Sequence, residues 1–174
     1  MVQQTTLEVV QWGGPSLDHM TSRFDLVRTW PEGYQAQSAL SGAVAASGLD
    51  HALLELVKMR ASQLNGCAYC LDMHSKDARA AGETEQRLHT LAGWRETPFF
   101  TPAERAALAL TEQLTLLADG HPTDGVVEEV RAQLGEEGLV QLTFAIVAIN
   151  GWNRLAITAR LPVGHHQPAA RANA

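Results

Sequence analysis

Cysteine is nearly absent from this chain: two in 174 residues, Cys67 and Cys70. A framework of structural disulfides is therefore excluded, and one bridge between positions three apart closes too short a loop to staple a fold. A basic surplus is missing too. Lys and Arg number 13 against 19 Asp and Glu, the net charge is −6 and the pI is near 5.6, which argues against a nucleic-acid partner. No apolar run is long enough for a bilayer, since the longest, Leu139 to Gly151, is interrupted by Gln141, Thr143 and Asn150. The first residues, MVQQTTLEVVQWGGPS, carry neither a positive n-region nor an apolar h-region, so they do not read as a secretory signal. The expectation is a cytoplasmic protein without a membrane partner. Strand signals are also scarce, because period-two alternation is not sustained and β-branched residues are sparse. No low-complexity linker and no short-period repeat divides the chain.

What remains is helix, at a length suited to one domain with a real core. An irregular arm is expected over residues 1–15, and a single all-α domain over 16–161 with its core near 45–118. A disordered tail is expected over 162–174. Within the domain a helix is predicted from Ser16 to Trp30, ended by Pro31, and another from Tyr34 to Ser47, closed by Gly48. A third runs from Asp50 to Leu64, where Leu49, Leu53, Leu56/Val57, Ala61 and Leu64 mark a buried stripe. Asn65-Gly66 breaks it, and a fourth helix begins at the cysteines and ends at Gly82. A short helix over Glu83 to Leu91 follows. Thr101-Pro102-Ala103-Glu104 then gives a capping box with proline at N1, opening a helix to Ala118. Two more are predicted, Thr123 or Asp124 to Leu134 and Glu136 to Arg160. The last is the most hydrophobic, and on that ground it is expected to be the most buried.

Chemistry concentrates in Asn65-Gly66-Cys67-Ala68-Tyr69-Cys70-Leu71-Asp72-Met73-His74. On a helix, Cys67, Cys70 and His74 fall at i, i+3 and i+7 and share a face. A helix start stabilises a thiolate and draws a C-x-x-C thiol well below its free pKa. His74, one turn beyond Cys70, is placed to take or give a proton. The preceding helix offers one acid in an apolar run, Glu55. Two antiparallel helices joined by the Asn65-Gly66 turn bring it alongside His74. A glutamate, an imidazole and thiols together form a set whose pKa values are readily pushed apart into acid and base roles.

Three other readings of the same residues stay open. The cysteines can be a pair of small buried hydrophobes. Cys67, Cys70, His74 and Glu55 can supply four zinc ligands, although no second C-x-x-C and no H-x₃-H is present. Glu55 can simply pair with Lys58 on a solvated face. Haem attachment is excluded, because Leu71 stands where C-x-x-C-H requires histidine. His51, His89 and His121 read as surface or capping residues, His165-His166 as tail residues able to bind metal adventitiously. Trp152, Asn153 and Arg154 read as packing and subunit contacts, and Tyr69 and Met73 as residues lining an approach to the thiols.

The run Glu55-x-x-Lys58-x-Arg60-Ala61-Ser62-Gln63-Leu64-Asn65-Gly66-Cys67-x-Tyr69-Cys70-x-x-x-His74 resembles the core signature of AhpD-like alkylhydroperoxidases, members of the carboxymuconolactone decarboxylase superfamily. The likeness extends over roughly Leu40 to Arg160. It implies an all-α domain of six to eight helices and a trimeric or hexameric homo-oligomer. It also implies a peroxidase without a cofactor or catalytic metal, acting on a small-molecule peroxide with an external dithiol as reductant. By the same resemblance Cys70 is the peroxidatic cysteine, Cys67 resolves it, and Glu55 and His74 form the proton relay. The founding type carries histidine where this chain has Tyr69. A carboxymuconolactone-type lyase and a non-enzymatic dithiol redox sensor are the alternative functions.

Overall fold

The computed structural model describes residues 21–168. The expected arm and the first residues of the expected Ser16–Trp30 helix lie outside them. Among the described residues the structure is all-α, with no strand. The first element is shorter than the sequence suggests. Among the described residues only α1 (Leu26–Thr29) forms before the proline, started by Asp25, whose carboxylate accepts the Val27 and Arg28 N–H groups. Pro31 stands where α1 has ended, as expected, and it also begins the next helix, α2 (Pro31–Ala45), ahead of the expected start at Tyr34. Its missing N–H and fixed φ suit the first helical turn, while it drives Trp30 out of helical geometry.

The central pair is α3 (His51–Asn65) and α4 (Ala68–Ala80). Asp50 caps α3 by accepting the Leu53 N–H at 2.9 Å, and Gly66 closes it at φ 67°, ψ 32°. That left-handed turn is inexpensive only for glycine, and it folds α4 back against α3. α5 (Glu85–Thr90) runs into a 3₁₀ segment over Leu91–Glu96. α6 (Pro102–Thr115) carries the expected Thr101/Glu104 capping box. The two helices predicted at the C-terminal side are one long element, α7 (Asp124–Ala159), interrupted where Gly135 takes φ 74°, ψ 176°. The glycine break is real, but it produces a kink rather than a loop.

α3 is the axis of the fold. Leu53 and Val57 pack with Ala107, Leu110, Leu142 and Ile146 of α6 and α7. Leu56 and Met59 turn to a second cluster with Leu88, Leu91, Trp94, Phe100 and Leu108, and Leu54 meets Val44 and Ala145. A helix packed on three sides keeps only a narrow wet strip, where His51 and Lys58 lie, and Glu55 falls inside it, buried. The expectation that the last helix is the most buried is not met. α7 leaves Val140, Phe144 and Val147 about half exposed, a stripe at i, i+4 and i+7 along one face. No helix among the described residues is long and apolar enough to cross a membrane.

The tail also departs from expectation. Arg160 turns the chain through a left-handed conformation (φ 54°), and residues 161–168 lie against α4. The Gly164 N–H donates to Asp72 Oδ2 at 3.1 Å, and Lys76 Nζ donates to the His166 carbonyl at 3.2 Å. Polar anchors along α4 hold a segment that composition alone marks as disordered. Residues 169–174 of the expected tail lie outside the described ones.

Candidate functional site

The site is built where α4 begins. Cys67 is the N-cap of α4, and its sulfur accepts the Cys70 N–H at 3.3 Å. Both cysteines are unbridged and buried, packed with Ala61, Ile149 and Ala156 and flanked by Tyr69, Trp152 and Leu161. The glycine turn before them is pinned by asparagines from α7. Asn65 Nδ2 donates to Asn150 Oδ1 at 2.9 Å and to Asn153 Oδ1 at 2.8 Å. Asn153, fully buried, donates to Ser62 Oγ at 3.0 Å. Asn153 was expected to be a packing or subunit contact. It does pack, and it also shapes the acidity of the thiols.

The two thiols titrate as a pair. The Cys70 thiol hydrogen-bonds to Cys67; burial opposes ionisation, and the backbone at Cys70 and Tyr69 and the Asn153 amide favour it. Together they draw Cys67 below the ordinary thiol value. Cys70 is raised by the bond it gives to Cys67, by burial and by the charge on its neighbour. The pair therefore releases its first proton more readily than a free thiol and holds the second. The activation expected of the helix start falls on the cap sulfur, Cys67, with Cys70 as its donor.

Glu55 and His74 are brought together as expected. His74 Nδ1 lies 2.9 Å from Glu55 Oε2, with both residues buried, and Lys58 Nζ donates to Glu55 Oε1 at 2.7 Å. Burial alone would raise the glutamate, but the hydrogen bond and charge of His74, with those of Lys58, lower it from 4.5 to about 2. An ionised carboxylate only accepts, so Nδ1 carries the proton and the other ring nitrogen is left for chemistry. The two bland readings of Glu55, pairing with Lys58 or a role in the site, are thus both present at once. The Lys58 contact is not on a solvated face, since it closes the buried pair from outside.

Cys70, His74 and Lys58 open into a cavity of about 240 Å³, lined further by Tyr34, Met73, Ile149 and Trp152. Cys67 is not among its lining residues, so the sulfur that faces the cavity is Cys70. Tyr69 and Met73 do line the approach. The four-ligand zinc set considered from the sequence is not what the fold assembles. The group whose ligand atoms lie within 4.8 Å of one another is Glu55, His74 and Asp77, and Glu55 there already holds a lysine ammonium. Asp77 was missed by sequence reasoning, as was its partner His166, whose Nε2 is 2.7 Å from Asp77 Oδ1. The only available signal was that Asp77 lies three residues after His74 on the same face.

Residues 31–113 match the carboxymuconolactone decarboxylase family. The uncharacterised protein YdfG of Bacillus subtilis is 41% identical over 138 residues, which cover 79% of this chain and 94% of YdfG. A solved structure from Agrobacterium tumefaciens, of a protein of unknown function assigned provisionally to antioxidant defence as AhpD, superposes with a TM-score of 0.80. It is 39% identical, and the match covers 84% of this chain and all of that one. The debrominase Bmp8, solved in complex with 2,3,4-tribromopyrrole, shares the fold at 19% identity and a TM-score of 0.71, over 80% of this chain and 74% of its own. With the family match and relatives 41% and 39% identical over most of its length, the chain belongs to the AhpD-like carboxymuconolactone decarboxylase superfamily.

Proposed function

We propose that this protein is a thiol-dependent peroxidase that reduces a small peroxide through Cys70 and Cys67. The observation that carries the reading is the division of labour around the cavity. Cys70 and His74 share its wall, Cys67 stands behind Cys70, and Glu55 behind His74. Such a set supports nucleophilic attack, proton delivery and disulfide closure without any group leaving its helix.

In the resting pair the charge is on Cys67 and the proton on Cys70. Transfer of that proton to Cys67 frees the Cys70 thiolate, which attacks the terminal peroxide oxygen. An S–O bond forms and the O–O bond breaks, leaving Cys70 as a sulfenic acid and releasing an alkoxide. The alkoxide leaves as alcohol with a proton passed through His74, whose orientation the Glu55 carboxylate fixes. Cys67 then gives up the proton it took from Cys70, replacing the one delivered to the alkoxide, and its thiolate attacks the Cys70 sulfur. The S–S bond forms as the S–O bond breaks, and the departing hydroxide takes a proton from solvent to leave as water. One peroxide is thereby reduced as two thiols are oxidised to one disulfide. An external dithiol restores the pair by exchange and is itself oxidised.

The reading predicts that Cys70→Ser lowers peroxide consumption, with dithiol supplied, to the uncatalysed background. Cys67→Ser should stop after one turnover with a single oxygen added to Cys70, visible by intact mass and by dimedone capture. Undiminished steady-state consumption by Cys70→Ser would overturn the assignment.

A further inference from the structure

His74 stands between two carboxylates, and only one of them belongs to the relay proposed above. Glu55 reaches it from α3. Asp77 comes from the next turn of α4, with one ligand atom each of Glu55, His74 and Asp77 lying within 4.8 Å of the others. Two carboxylates this close repel each other and compete for the same imidazole. Glu55 is anchored on both oxygens, by His74 and Lys58. Asp77 is held instead by His166, 89 positions away, across a 2.7 Å contact from Nε2 to Oδ1.

We infer that Asp77 and His166 form a positioning pair for His74, so that the C-terminal segment is a working part of the site. The segment is fixed to α4 at several points. The Asp72 carboxylate receives the Gly164 N–H, Lys76 Nζ reaches the carbonyls of Gly164 and His166, and Leu161 lines the cavity beside Cys70. With His166 in place Asp77 is engaged outward and Glu55 alone orients His74. Without it Asp77 turns its charge on the imidazole, holds the cation and contests the orientation that Glu55 sets. The charged and titratable groups around His74 are Glu55, Lys58 and the more distant His51 from α3, Cys70, Asp72, Lys76 and Asp77 from α4, Tyr34 and Tyr69 at the cavity, and His166 from the segment. The segment acts on two of these carboxylates: Asp72 is held by the Gly164 N–H and Lys76, and Asp77, the one grouped with Glu55 and His74, is held by the His166 side chain.

The catalytic consequence rests on the peroxidase reading, but the positioning itself does not. The test is therefore the ¹⁵N–¹H titration of His74 in full-length protein, together with the pH profile of Cys70 alkylation by iodoacetamide. His166→Ala should raise the His74 midpoint by about half a pH unit or more, because Asp77 becomes an uncompensated neighbour. Asp77→Asn should lower it, and the double variant should behave as Asp77→Asn. His166→Gln, which keeps a donor for Asp77, should return the midpoint toward that of the unchanged protein. A purely structural role for the segment would move both single variants in one direction, together with thermal stability. Shifts of the same sign, or no shift in either variant, overturn the inference. If the unchanged protein consumes no peroxide while the opposite shifts appear, the peroxidase reading fails and the positioning pair stands.

Discussion

Glu55 and Glu112 are both withdrawn into the same helical body, both held below the ordinary glutamate pKa, and they do different work. Glu112 on α6 is saturated by donors that keep their protons at any working pH. Arg60 reaches it through Nε at 2.8 Å and Nη2 at 2.7 Å, Trp94 through Nε1 at 2.8 Å, and Arg95 bonds to its other oxygen. It ties α3, α6 and the 3₁₀ segment into one block. Glu55 has a lysine on one oxygen and, on the other, an imidazole that faces a cavity shared with a thiol. The lesson is that burial and a lowered pKa do not by themselves mark a functional carboxylate. The partner decides: a donor that can change its protonation state makes a relay, and donors that cannot make a brace.

The sharpest way to break the comparison is Glu55→Gln. The amide preserves shape and can still meet His74, but not as a fixed anion. Peroxide turnover should fall on the order of 10²-fold or more, the scale of a positioned acid–base group, while helical content is retained. Unaltered turnover would reduce Glu55 to the same bracing role as Glu112. Acid stability separates the pair next. Glu55 sits at about 2 in the folded protein and near 4.5 when unfolded, so the folded state binds fewer protons between those values. Its contribution, at most about 3 kcal/mol, is complete above pH 4.5 and is lost as pH falls toward 2. Urea unfolding across that window should show a shallower acid limb in Glu55→Gln than in the unchanged protein. Identical slopes would mean that the His74 contact does not hold the carboxylate ionised.

Much of this contrast could be read before any coordinates. The α3 stripe, the Asn65-Gly66 turn and the C-x-x-C at the next helix start dictate a hairpin, and a hairpin of that length brings Glu55 to His74. The Thr101/Glu104 box also stands where its residues say. Pro31 was read only as a stop, and the next start was put late at Tyr34, because a proline can close one helix and open the next at the same place. α7 was ranked too deep because apolar content does not say which face a helix turns inward. The Glu112 brace and the Asp77–His166 contact were invisible, since their partners lie 52 and 89 residues apart and long-range side-chain pairing leaves no periodic trace. The thiol assignment was half legible: the spacing located the pair, but which sulfur caps the helix and which faces the cavity is decided by backbone geometry at residue 67.

Breaking the brace should cost stability without touching chemistry. Glu112→Ala leaves the Trp94 N–H and the Arg60 Nε and Nη2 without their acceptor in a mostly shielded place, with Arg60 keeping only its bond to Gln63. The expected loss is about 2 kcal/mol, below the range for a fully buried pair because Arg95 keeps the cluster open to water. Peroxide turnover per folded molecule, measured well below the new Tm, should stay within about twofold. A large loss of turnover at full folding would show that α3 transmits the brace to the site, and the two glutamates would no longer be separable.

The smallest effect is the most discriminating, because Lys58 belongs to the functional carboxylate yet stands partly in solvent. Its pair with Glu55 has one desolvated end and one wet end, and a pair of that kind is worth less than about 1 kcal/mol. Lys58→Met should therefore leave the midpoint of unfolding nearly unchanged at neutral pH. It removes one of the cations that hold Glu55 down, so the acid limb should begin at a higher pH, with the carboxylate moved from about 2 toward its ordinary value. If the limb stays where it is, the imidazole alone keeps Glu55 ionised. Lys58 is then only the lid on the pair. If the limb moves and turnover narrows to a more alkaline range, the lysine is part of what lets His74 exchange its proton against a permanently charged glutamate, a dependence that the arginine-saturated Glu112 has no means of showing.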